Sequence, residues 1–204
     1  MTVFSTLCYR ACPEAGLRLR AWLRLLLLLA AIWAVPVQSA DVEIRNASLN
    51  LDEEGFKLSA DFDFELSSRL EEAVSHGVVL YFVAEFDMTR SRWYWLDDTV
   101  VEHRITYRLS YHALTRQYRL ATGALQQNFN TLEDALRVLA RLRNVLVADR
   151  DLLKPGERYA CALRFRLDVS QLPKPFQINA IASRNWNLAS DWMRWTYLFT
   201  GEVQ

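Results

Sequence analysis

Phe56-Lys57-Leu58-Ser59-Ala60-Asp61-Phe62-Asp63-Phe64-Glu65-Leu66 alternates apolar and polar side chains without a break. Successive side chains on a strand point to opposite faces, so a period of two predicts a strand with one face in a core and one in water. Asp52-Glu53-Glu54-Gly55 before it reads as a polar turn. Upstream, in Asp41 to Leu51, Val42, Ile44, Leu49 and Leu51 predict a partner strand whose phase slips around Asn46 to Ser48, as a bulge would make it do. The pair is a hairpin.

Working outward, the same alternation recurs in Val101 to Tyr111, in Tyr118, Leu120 and Thr122, and in Tyr159 to Val169. Val78 to Phe86 is a short, nearly continuous apolar run behind Gly77, which predicts a strand buried on both faces. Phe176, Ile178, Ala180 and Ala182 predict a further short strand after Pro173 and Pro175, and Trp195 to Phe199 a closing one. Two segments read as helices. Ser68-Arg69-Leu70-Glu71 has capping-box spacing and opens a short helix over about 68–76, with Gly77 to end it. Asn130-Thr131-Leu132-Glu133 offers a cap and an acid three residues on, and opens a longer helix over about 131–147, because Leu132, Ala135, Leu136, Leu139, Leu142 and Leu146 recur every three or four residues. Seven or eight strands with tight turns predict a mainly β fold, an antiparallel two-layer sandwich-like domain, with a single sheet covered by the longer helix as the competing arrangement.

The N-terminus is of another kind. Leu25 to Val35 is unbroken and apolar, follows Arg10, Arg18, Arg20 and Arg24, and precedes Pro36-Val37-Gln38-Ser39-Ala40. A basic stretch, an apolar stretch of roughly 7 to 15 residues and small residues at a cleavage point make a secretion signal, whereas a spanning helix needs about 20 apolar residues. Residues 1–40 are therefore expected to be a signal peptide and 41–204 a single β-rich domain in the periplasm; an uncleaved inner-membrane anchor is the rival reading. Without the leader the chain holds 20 basic and 23 acidic residues. No surplus of positive charge is left for nucleic acid. Cys8 and Cys12 go with the leader, so Cys161 stands alone and no intrachain disulfide is expected.

Catalytic and metal motifs are missing from the sequence: there is no HExxH, GxSxG, P-loop or clustered Cys and His, so no catalytic residue, metal or cofactor is expected. His76, His103 and His112 read as structural, His76 as a cap on helix carbonyls. Asp61, Asp63 and Glu65 share one strand face, which could serve as an acid and base pair but also describes any solvated strand. Aromatic clusters carry the better signal. Trp93 and Trp95 would project from one side of an extended segment, with Arg90 and Arg92 beside them, and large aromatics are enriched in binding hot spots. Trp186, Trp192 and Trp195 read as packing residues.

Five features together resemble an uncharacterised group of exported proteobacterial proteins, the domain-of-unknown-function family 4390. They are the leader, Gly55-Phe56-Lys57-Leu58-Ser59-Ala60, the apolar strand Val78 to Phe86, a late helix ending before Leu153-Lys154-Pro155-Gly156, and Ser183-Arg184-Asn185-Trp186-Asn187-Leu188-Ala189-Ser190-Asp191-Trp192. The resemblance carries no activity and no functional residue. It implies a role near a membrane sensor kinase of the nitrogen-regulation type, beside which the family's genes tend to lie. The expectation is a non-enzymatic binding module, with the outer part of an inner-membrane sensor as partner. A carbohydrate or envelope-polymer binder built on the tryptophans, and a hydrolase using the carboxylate face, are the alternatives.

Overall fold

A computed structural model describes residues 42–90, 98–182 and 186–201. Among them nine strands form two antiparallel sheets, β1-β2-β7 and β6-β5-β4-β3-β8-β9. This is the two-layer sandwich, and the layers meet through the alternating residues. From β1 (Glu43–Leu51) and β2 (Phe56–Asp63), Leu49, Leu51, Phe56, Leu58, Ala60 and Phe62 are buried. From β3 (Leu80–Arg90), β4 (Asp98–His112) and β8 (Arg158–Leu167), the buried set includes Phe82, Phe86, Ile105, Leu109, Cys161, Leu163 and Phe165. Phe62 and Phe165 stack across the layers at 4.5 Å between ring centres.

The opening hairpin follows its sequence closely. Asp52 and Gly55 exchange backbone hydrogen bonds of 2.9 and 3.3 Å, and the β1–β2 register shifts between Ile44 and Asn46, at the start of the expected slip and not within Asn46 to Ser48. Gly55 lies at φ +143°, and a Cβ there would stand 2.4 Å from the Ala148 carbonyl oxygen. Only glycine fits this approach. The strand ends at Asp63, so Phe64 to Leu66 lie beyond it.

The first helix, α1 (Ser68–Ser75), is capped one residue earlier than its box suggests: Ser67 Oγ accepts from the Leu70 amide at 3.4 Å, which leaves Glu71 outside the capping position. At its other end Gly77 (φ +88°) donates to Val74 and Val78 donates to Ala73, a Schellman closure.

The longer helix is corrected most. α2 (Leu132–Leu139) stops at Ala140, and Arg141–Ala148 is strand β7, paired antiparallel with β2. Asn144 is the reason that the segment imitates a helix. It takes a left-handed conformation (φ +47°), pinned by Ser59 Oγ, which accepts from its amide at 3.1 Å and donates to its Oδ1 at 3.2 Å. The bulge puts the partners of two successive core residues of β2, Leu142 opposite Ala60 and Val145 opposite Leu58, three residues apart. Bulged strand and helix therefore share a spacing.

Two further elements differ. Residues 176–182, expected as a strand, belong to helix α3 (Lys174–Ala182), started by Phe176 and Gln177 donating to the Pro173 carbonyl at 2.9 and 3.2 Å. Pro175 sits in the first turn, where a missing amide costs nothing. The alternation was spurious: Ile178 is 69% exposed, while Phe176 packs on Trp186 at 5.3 Å. After β5 (Gln117–Thr122), the chain turns at Gly123 into β6 (Leu125–Phe129), a strand without apolar alternation that periodicity does not reveal.

β9 (Met193–Leu198) flanks β8, and residues 188–190 continue the same edge. Ser190 joins the layers there. Its amide donates to the Phe165 carbonyl, its hydroxyl accepts from the Phe165 amide, and it forms a parallel bridge with Val42. Among the described residues no helix is long and apolar enough to cross a membrane.

Candidate interaction site

Of the four residues singled out for binding, Arg90 lies within the described chain, and Arg92, Trp93 and Trp95 lie outside it, in 91–97. Arg90 ends β3 and faces Asp98, the first residue of β4, so residues 91–97 join the two strands of a hairpin. The Arg90 guanidinium bridges two carboxylates, Asp98 Oδ2 at 3.0 Å and Glu157 Oε2 at 3.1 Å. Glu157 in turn accepts from Tyr159 Oη at 3.0 Å, and Tyr159 Oη accepts from the Lys154 amide at 2.9 Å.

These contacts tie the base of the β3–β4 hairpin to the strand beside it. Tyr159 is buried and its ring anchors the network in the core. Hydrogen bonds from Arg90 and then Tyr159 hold the Glu157 carboxyl below its ordinary value, and those to Glu157 and Asp98 raise Arg90 further. Burial is the main cause raising Tyr159. Two oppositely charged partners on one planar fork leave Arg90 little rotational freedom. Glu157, Asp98 and Tyr159 are not evident as partners from sequence, because Glu157 lies 67 residues from Arg90 and meets it only once β3 and β8 are neighbours. Lys154-Pro155-Gly156, the turn that aims Glu157, is the one local clue.

The carboxylates of the β2 face are engaged in ion pairs. Asp61 is bound by Arg143 and Asp63 by Arg45, while Glu65 lies past the end of β2. Among the described residues no group of three His, Cys, Asp or Glu is placed to hold a metal ion. His76 Nδ1 lies 2.8 Å from the Glu72 carbonyl oxygen, a C-terminal cap, and His112 Nδ1 pairs with Thr115. Burial pushes the Cys161 thiol up to about 12, which makes it an inert core residue. Trp186 is buried, Trp195 packs 6.1 Å from Phe86, and Trp192 lies under the Arg164 guanidinium at 5.8 Å, so the C-terminal tryptophans take part in packing.

One concavity has no sequence signal. Phe64, Leu66, Leu132 and Leu136 line a groove of about 760 Å³, with Asp63, Glu65, Glu71 and Glu133 among its walls.

A family model described as a domain of unknown function, DUF4390, matches residues 39–196. The chain belongs to the DUF4390 family. The DUF4390 region takes in the chain from β1 into β9, so both sheets, the Arg90 network and the Ser190 junction fall within it. Comparison with curated proteins and with solved structures yields no match.

Proposed function

We propose that this DUF4390 protein is an exported, non-enzymatic interaction module of the periplasm, delivered by a signal peptide at residues 1–40. Its contact surface is the connection 91–97, which carries Arg92, Trp93 and Trp95. The observation that supports this most is the Arg90 bridge to Asp98 and Glu157, which fixes both ends of a connection holding two tryptophans in seven residues. Ordered ends lower the entropy that a loop loses when it binds. Large aromatics on such a loop have apolar area to give to a partner. The outer part of an inner-membrane sensor is the partner this reading favours.

Deleting 91–97 and closing the strands with a Gly-containing turn tests it. The variant should keep the parental far-ultraviolet spectrum and lose crosslinking to the sensor's periplasmic region. Unchanged crosslinking would remove the proposal. Quenching of tryptophan fluorescence by an envelope glycan, absent from a Trp93→Ala/Trp95→Ala variant, would instead make the loop a polymer-binding site.

A further inference from the structure

Among the described residues the six-stranded sheet ends on β6, with no neighbouring strand on its outer side. Leu125 to Asn128 are exposed, Leu125 by 64%. Among the described residues no backbone bond outside the ladder engages β6. A bare edge is a template for another strand, and proteins guard edges with charge, proline or bulges. The other three edges are guarded. β1 carries Glu43, Arg45 and a register shift, β7 carries Arg141, Arg143 and the Asn144 bulge, and β9 carries Arg194. β6, Leu125-Gln126-Gln127-Asn128-Phe129, has no charge, no proline and an unbroken register.

Its register also limits what can pair with it. Thr122 and Leu125 face each other across a two-residue turn with Gly123 at φ +57°. Residues that close such a turn exchange both backbone bonds, and the exchange alternates along the ladder. Leu125, Gln127 and Phe129 therefore spend their backbone groups on β5, and those of Gln126 and Asn128 point to the open side. Gln127 pairs with the buried Leu120, so Leu125, Gln127 and Phe129 share the core-side face and Gln126 and Asn128 the opposite one.

We propose that this edge takes a second copy of the chain, β6 against β6 antiparallel, about a two-fold axis at Gln127. That register sets Leu125 against the second copy's Phe129, Gln127 against itself, and Gln126 against Asn128. On the core-side face apolar meets apolar with the Gln127 pair between them, and on the other face amide meets amide. The free groups of Gln126 and Asn128 make roughly four backbone hydrogen bonds. By residue class, apolar at both ends with three amides between, the strand reads the same in both directions, as an isologous contact requires. Two six-stranded sheets become continuous, at a site independent of 91–97.

The test uses the full chain with Cys8→Ser and Cys12→Ser. Gln127→Cys places two thiols across a non-hydrogen-bonded pair with Cα atoms about 4.5 Å apart, within disulfide reach. Leu125→Cys leaves its copies separated by about 14 Å, out of reach. Mild oxidation should double the mass of Gln127→Cys on a non-reducing gel and leave Leu125→Cys single. In sedimentation, Gln127→Lys and Gln127→Glu should each weaken the dimer roughly tenfold or more by opposing like charges, and mixing them should restore it. Equal crosslinking at both positions, none at Gln127→Cys, or a parent protein that sediments as a monomer up to about 100 µM, well above the Kd range of stable dimers, would overturn the proposal.

Discussion

Replacing Phe165 with alanine removes the ring on which the two layers meet. Phe165 is fully buried and packs against Phe62 at 4.5 Å, Phe64 at 5.3 Å and Phe82 at 5.8 Å between ring centres. A buried phenylalanine covers about 150 Å² or more, which at about 25 cal/mol/Å² is about 3.8 kcal/mol. Measured Phe→Ala costs in cores run about 3–5 kcal/mol, the cavity included. A domain of this size has about 5–15 kcal/mol in all, so the variant should lose about a quarter or more of its stability. Urea unfolding followed by tryptophan fluorescence measures this directly, with the slope m unchanged and the midpoint lowered. A double-mutant cycle with Phe62→Ala should give a coupling of about 0.5–1.5 kcal/mol from the stacked rings. A loss below about 1 kcal/mol with no coupling would refute the two-layer core, since that is the range of ordinary surface substitutions.

Gly55→Ala forces a Cβ to 2.4 Å from the Ala148 carbonyl oxygen in a backbone that L residues avoid, and should cost about 2 kcal/mol or more by denaturant unfolding. Asp87 lies directly opposite Glu102, and burial first, then Glu102 and Glu85, raises its carboxyl. Asp87→Asn should therefore raise stability at pH 7 by about 0.5 kcal/mol, and the gain should fade as pH drops through the raised value towards 3.8, because the wild-type carboxyl is then neutral as well. Arg90→Ala should lower the melting temperature at pH 7 without loss of fold. Because the Glu157 carboxyl is held below its ordinary 4.5, its contribution is complete above that pH and disappears as pH falls further, so the wild-type and Arg90→Ala melting curves should converge in acid.

Patterns of period two identified the amphipathic strands because each has one wet face, and the core residues of β2, β4 and β8 follow directly from them. Elements whose pattern serves two geometries misled. Leu139, Leu142 and Leu146 suit a helix, yet the left-handed Asn144 turns the second half into a bulged strand, a fact set by Ser59 some 85 residues away. Phe176 to Ala182 alternates like a strand, yet Pro173 and Pro175 start a helix that leaves Ile178 in water. β6 has no core-facing apolar periodicity because it lies at an edge, and edge strands need little of it. At the candidate site Arg90 was singled out as a neighbour of Trp93 and Trp95, but its place at the end of β3 and its partners Asp98 and Glu157 depend on the order β4-β3-β8, which no local pattern encodes. The partners of the β2 carboxylates, Arg45 and Arg143, are likewise set by strand pairing and not by any local pattern.

The interaction reading is tested most directly by a photocrosslinking residue at position 93, compared with the same residue at 114, an exposed turn position on another hairpin where Leu114 is 93% accessible. In intact cells, position 93 should give one discrete adduct with an inner-membrane sensor and position 114 none. No adduct at 93, or the same adduct at both positions, would contradict the account.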